Sequence, residues 1–302
     1  MRMASLRTDS RELQLLLSLS LILCIICFIS GCDSSESNNT IFTIDSLRDS
    51  LEKQEDFIVF CLIERARFPH NSPAYSSSSG GRRVMSSSSL AELFVRETEA
   101  IQAKFGRYQN PEELPFFPHD HTPIQAAAEA PPPFKFPQFL DPAASSVNVS
   151  RDIWNIYFGD LLQLITTDGD DGNYQQAAAS DLVCLQALSK RIHYGRFVAE
   201  VKFRDSPSTY IPAIHAKDSE TLTELVTSKA VEETVIERVK KKAEVFGQTV
   251  TVDTGGVSGV AMDVNATNTY KVDPSVASKL YAEWVIPLTK QVEVDYLLHR
   301  LD

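Results

Sequence analysis

Two cations set on one apolar stripe pose the first chemical question in this sequence. Arg191 and Lys202 lie eleven residues apart within DLVCLQALSKRIHYGRFVAEVKF, residues 181–203. At roughly 100° per residue, that spacing brings both to nearly the same helix face after three turns. Leu185, Leu188, Ile192, Phe197, Val198 and Val201 recur around them at helical spacing, which predicts one long, buried, central helix. Cations on such a face close internal salt bridges, snorkel at an edge, or meet an anionic ligand. Gly195 interrupts the stripe at a cost near 1 kcal/mol relative to Ala, and close approach by another helix or a ligand would explain it.

Other candidates are weaker when read one at a time. Thr289 sits one turn before Glu293, and Ser228 one turn before Glu232, so each pair shares a helix face. Taken singly, Glu232 and Glu293 are ordinary exposed helix carboxylates, and Arg48 with Glu52 is an ordinary surface pair. His119 and His121 form an HDH triplet, too few convergent groups for a metal site. DGDDGN, residues 168–173, hints at a calcium loop, but its fifth position is Gly172 and its twelfth Ala179, where oxygen ligands are required. No metal is expected.

Joined in order, the motifs say more. SLRDSLEKQEDFIVFCLIERARFPHNSP, GRYQNPEELPFFP, LSKRIHYGRFVAEVKFRD, AVEETVIERVKKKAEVFG and WVIPLTKQVEVDYLLHRLD together resemble the eukaryotic, all-helical chorismate mutases, the plant ones most closely. The resemblance spans roughly 43–302 apart from insertions. It implies a homodimer that converts chorismate to prephenate in phenylalanine and tyrosine synthesis. This intramolecular [3,3] rearrangement formally needs no nucleophile, proton transfer, metal or organic cofactor; catalysis comes from holding the reactive shape and stabilising charge on the breaking ether oxygen.

By that resemblance Arg48 and Arg191 grip the substrate carboxylates, for which a bidentate guanidinium is suited. Lys202 donates to the ether oxygen, and Glu293 stands on the other side of it. Glu232 accepts the substrate hydroxyl, with Ser228 and Thr289 beside the two glutamates. Regulated members also bind tryptophan and tyrosine between subunits. Gly106 and Arg107 match part of that effector site, but Gln175 and Gln176 replace its Gly-Ser, which predicts a crowded pocket and insensitivity. The alternative is a catalytically silent homologue that keeps the scaffold to dimerise or bind a partner.

The elements that must position these residues read as helices throughout. A first helix is expected from about Asp45 to Phe68, stopped by Pro69, with Leu47, Leu51, Ile58 and Leu62 inward. Ser89 and Glu92 form a capping box for a second, to Phe105, with Leu93, Phe94 and Ile101 inward and Gly106 as its stop. The Pro-rich stretch 111–142 should be extended chain laid over helices. A helix over 149–166 follows, carrying Ile153, Trp154, Tyr157, Leu161 and Leu164. Beyond the central helix two shorter ones are expected, the second ended by Gly247. Asp273 and Pro274 start the last helix, and Pro287 should kink or split it near Ile286. The low-complexity stretch 70–88 and the Thr/Val/Gly-rich 248–269 read as flexible loops. The class is all-α.

Composition bounds the rest. With 302 residues and 43% hydrophobic content the chain can bury a sizeable core. A net charge of −11 argues against a nucleic-acid partner, so Arg238 and Lys240–Lys242 read as a solvated helix face. Residues 1–31 have the cation, apolar-run and small-residue order of a secretory leader, with an uncleaved anchor as the other reading; 32–42 is a linker and 43–302 one domain. Entry to the secretory pathway is expected, with no membrane attachment after leader removal. A cytosolic enzyme is the alternative, because Cys32, Cys61 and Cys184 make no disulfide framework.

Overall fold

The first helix begins where its side chains can satisfy its own free amide groups. Thr43 Oγ1 accepts the Ser46 amide at 3.2 Å and Ser46 Oγ accepts that of Thr43 at 2.9 Å, a reciprocal capping box for α1, Ile44–Arg65. The computed structural model describes residues 42–76, 88–118, 136–248 and 270–302, all within one compact unit, Phe42–Asp302. The leader, nearly all of the linker, His119, His121 and residues 249–269 lie outside the described residues.

Among the described residues the architecture is helical, with one isolated bridge between Gln248 and Tyr270. After α1 come α2, Leu90–Lys104, and α3, which runs Ser150–Ile156, a π turn Tyr157–Leu161, then Leu162–Ile165. The central segment is α4, Tyr174–His193, and α5, Gly195–Asp205. Next are α6, Pro207–Ala216, α7, Ser219–Val226, and α8, Lys229–Phe246. The last helix, α9, runs Pro274–Leu280, a π turn Tyr281–Val285, and Ile286–His299. Asp273 caps it through the Ser275 amide at 2.8 Å, and Pro274 opens it, as its sequence signals require. Pro287 has no amide for the carbonyl one turn back; the π turn that ends at Val285 absorbs that mismatch without breaking the helix.

Several expectations need correction. The central helix is two helices, because the Phe197 amide bonds to the Tyr194 carbonyl three residues back. That leaves the His193 carbonyl to Arg196 Nε, at 3.2 Å. Three helices, not two, follow it: Lys217 adopts a left-handed φ of 51°, and Asp218 caps a new helix through the Thr221 amide at 3.0 Å. In α2 the inward positions are Ala91, Val95 and Glu99, while Ile101 is exposed. Buried Glu99 accepts the amides of Phe116 and Phe117, both at 3.0 Å, and so ties the extended segment to the helix.

The apolar core forms two clusters. One gathers Ile58, Leu62, Val95, Tyr157, Leu161, Leu185, Leu188 and Ile192 with Tyr281 and Val292. The other gathers Leu47, Tyr194, Phe197, Val201, Tyr210, Leu222, Val294 and Leu297. The chain passes from one cluster to the other between Ile192 and Tyr194, and on α9 between Val292 and Val294. Arg191 and Glu293 fall at those crossings.

Candidate active site

Gly195 marks a close approach between α5 and α9. A Cβ at this position would lie 2.8 Å from the Thr289 carbonyl oxygen and 3.4 Å from Glu293 Cγ. Only a glycine lets the start of α5 approach α9 this closely, so the close partner that Gly195 implied is another helix. That contact sets Thr289 and Glu293 beside the cations of α4 and α5.

Arg191 is 5% exposed, yet poorly satisfied. Its Nη1 reaches Thr289 Oγ1 at 3.4 Å, long for such a bond, and its Nε has no hydrogen-bond partner among the described residues. Thr289 sends its own proton to the Val285 carbonyl at 2.7 Å, which leaves its lone pairs toward Arg191. The guanidinium lies 5.7 Å from the ring centroid of buried Tyr281. A buried cation with an unanswered donor is costly unless a ligand completes it.

Lys202 is better supplied. Its Nζ donates to Glu293 Oε2 at 2.8 Å and to the Val226 carbonyl at 3.0 Å. Glu293 is 6% exposed, and burial pushes its carboxyl above the ordinary glutamate range. Lys202 and Arg191 pull against that shift, and the charge of Glu232 adds to it. Glu232 in turn pairs with Lys290 at 3.2 Å. Five predicted residues, Arg191, Lys202, Glu232, Thr289 and Glu293, are therefore linked into one constellation.

The others stand apart from it. Arg48 is exposed and bonded to Asp45 at 2.9 Å. Ser228 is the exposed N-cap residue of α8 and makes no capping bond. Gly106 has the expected positive φ, 83°, and Arg107 is held by Glu113 at 3.0 Å and Gln186 at 2.9 Å. Gln175 and Gln176 are both exposed at the start of α4, so neither fills a pocket within this chain.

Three participants escaped the sequence reading. Lys290 follows Thr289 directly, and its signal was a cation between two site residues. Tyr281 lies in the π turn, a geometry that spacing rules do not foresee. Glu55 is fully buried between Arg238, bound twice at 2.7 and 2.8 Å, and Lys242 at 3.1 Å. The basic tract is thus not simply a solvated face. The signal was a carboxylate on the buried stripe of α1, one turn past Leu51. A groove of about 810 Å³ runs along α8, lined by Ala230, Thr234, Lys241 and Val245 among others, but by none of the constellation.

The geometry offers two cations, a carboxyl biased toward its neutral form and a second carboxylate, at a seam between two apolar clusters. Such a set is suited to a compact dianion and to donation toward an oxygen between Lys202 and Glu293. Comparison with known proteins points the same way. Residues 173–294 match the family model described as chorismate mutase type II. Chorismate mutase 2 of Arabidopsis thaliana is 54% identical over 89% of this chain and 97% of its own. The cytosolic chorismate mutase 2 of Zea mays is 50% identical over 86% of this chain and 96% of its own. The crystal structure of AtCM1 with tyrosine bound in its allosteric site superposes with a TM-score of 0.74 at 41% identity. It covers 88% of this chain and 99% of that one. The chain belongs to the chorismate mutase family and is an isomerase of its all-helical class.

Proposed function

We propose that this chain rearranges chorismate to prephenate at the Arg191–Lys202–Glu293 constellation. The observation that carries the reading is the 2.8 Å contact of Lys202 with Glu293 beside an arginine whose Nε is unanswered. The substrate's two carboxylates complete Arg191 and recruit Arg48. Arg48 has only to exchange Asp45, a surface pair worth about 0.2–0.5 kcal/mol. The ether oxygen sits between Lys202 Nζ and Glu293, which donates from its neutral form as the C–O bond breaks. Glu232 accepts the substrate hydroxyl, and Ser228 stands at the start of the same helix. Loss of chorismate absorbance with purified protein tests this. No loss would return the chain to the silent-scaffold reading.

Three finer readings go with it. A homodimer is implied by the resemblance, and sedimentation of the purified chain decides it. Insensitivity to tryptophan and tyrosine has lost its support. Gln175 and Gln176 are exposed and fill no pocket within this chain, and AtCM1 is described with tyrosine in an allosteric site. Initial rates with and without each amino acid settle the matter. For compartment, the apolar run before Ser30 supports a secretory leader processed between about Ser30 and Ser34, whereas the name of the maize relative supports the cytosol. No helix among the described residues is long and apolar enough to cross a membrane. The intact mass of the protein made in plant cells distinguishes a processed chain from a full-length one.

A further inference from the structure

Lys290 lies outside every role assigned so far, yet it joins two of the site's elements. It stands on α9 between Thr289 and Glu293, and its Nζ reaches across to α8, 3.2 Å from each carboxylate oxygen of Glu232. Lys290 and Glu232 are each about a quarter exposed, so the pair is only partly screened by water. Lys290 also lines a cleft of about 320 Å³ with Thr223, Pro287, Gln291, Val294 and Asp295. The site therefore contains two cation–carboxyl pairs, Lys202–Glu293 and Lys290–Glu232, in which each carboxyl group is held by a cation from a different helix.

We propose that Lys290 is a positioning residue for the rearrangement: it fixes the Glu232 carboxylate for the substrate hydroxyl and shields Glu293 from the charge of Glu232. The proposal rests on the reading of Glu232 and Glu293 given above. The groups facing Glu293 are Lys202 from α5, Arg191 from α4, Glu232 from α8 and Tyr210 from α6. From α7 only the Val226 carbonyl enters, through Lys202, because Glu220 and Glu224 are exposed. Of these, Glu232 is the one anion that adds to the effect of burial on Glu293. Among the described residues, Lys290 is the cation bonded to it.

Removing Lys290 has two consequences. A free Glu232 carboxylate is no longer held for the substrate hydroxyl, an interaction present in both ground and transition states, so KM rises more than kcat falls. The unshielded charge also favours neutral Glu293, which keeps its proton to higher pH. Activity lost on deprotonation of Glu293 is then lost later, and the alkaline limb of the pH–rate profile moves upward.

The test compares full-length wild type with Lys290→Met, Lys290→Gln and Lys290→Arg, and repeats Lys290→Met in a Glu232→Gln background. Lys290→Met and Lys290→Gln should raise KM about tenfold, with kcat changed less than about threefold. Their alkaline limb should move up by about half a pH unit or more. Lys290→Arg should restore both values. In the Glu232→Gln background the limb shift should largely vanish, a result that a general loss of stability would not produce. An unchanged KM and limb in both neutral variants would overturn the proposal, as would a shift that persists undiminished without the Glu232 charge. Should the wild type show no alkaline limb, the role given to Glu293 fails instead, and the KM values alone decide for or against Lys290.

Discussion

Arg65 and Arg191 are both buried arginines on long core helices, and the fold treats them in opposite ways. Arg65 Nε meets Asp181 Oδ1 at 2.6 Å, its Nη2 meets the Tyr75 hydroxyl at 2.8 Å, and its Nη1 reaches the Phe68 carbonyl at 3.0 Å. Asp181 is answered as fully, by Tyr75 at 2.6 Å and Tyr157 at 2.8 Å. Arg191 has one hydrogen bond, at 3.4 Å, a ring contact with Tyr281, and an Nε without a hydrogen-bond partner among the described residues. A buried charge answered on every side holds helices together; one left short of partners is held ready for a ligand. Burial alone does not distinguish scaffold from site, but completeness of bonding does.

The sharpest way to break this comparison is to delete each kind of charge. Arg191→Ala or Lys202→Ala should lower kcat by about 10²–10³-fold or more, since Lys202 donates to the developing charge and Arg191 holds a substrate carboxylate in the reactive shape. Helix content by circular dichroism should stay at the wild-type level. Retention of a tenth of the rate in either variant would place that residue outside the transition-state contacts. Asp181→Ala should do the reverse. It strands Arg65 in the core at a cost of about 3–5 kcal/mol in unfolding free energy, measured by urea titration. Its kcat per folded molecule should change little.

Gly195→Ala sits between the two cases. Its new Cβ would lie 2.8 Å from the Thr289 carbonyl oxygen. Strain of about 1–3 kcal/mol is expected, together with a loss of rate as Thr289 and Glu293 move from the cations. A stable, fully active Gly195→Ala would show that the close approach does not set the site.

His193 sharpens the scaffold side. Its Nε2 accepts the Val149 amide at 2.9 Å, and burial with the nearby Arg196 charge pushes the imidazole down to about 3. An unfolded histidine protonates near 6.5. The depressed native value means its contribution is full above about pH 6.5 and is lost as pH falls toward 3. Unfolding free energy should drop by about 1–2 kcal/mol between pH 7 and pH 5, and His193→Gln should flatten that slope.

Much of this was legible in the sequence. Apolar spacing gave the helices, and Asp273–Pro274 gave the start of α9. The joint motifs named Arg191, Lys202, Glu232, Thr289 and Glu293 together, whereas each read singly was an ordinary helix residue. Gly195 announced a close approach without naming the partner. What stayed hidden depends on competition between distant groups. At the break at Tyr194 the Phe197 amide bonds to the Tyr194 carbonyl, and the His193 carbonyl is left to the side chain of Arg196. Ile101 was expected inward, but Glu99 holds the core side of α2 by accepting two amides from another segment. The partners of Arg238 and Lys242 lie nearly two hundred residues away on α1, beyond the reach of any local pattern.

The central claim is that Glu293 works as a neutral donor to the breaking ether oxygen, and its pH dependence tests that most directly. Burial raises the Glu293 carboxyl while Lys202 and Arg191 restrain it, so the donor form persists above the usual range near 4.3 and is lost as pH rises further. Wild-type kcat should therefore be highest on the acidic side and fall through an alkaline limb. Glutamine carries its N–H at every pH, so Glu293→Gln should keep at least about a tenth of the peak rate, with that limb flattened. A dead Gln variant, or one that keeps the wild-type pH profile, would contradict the account.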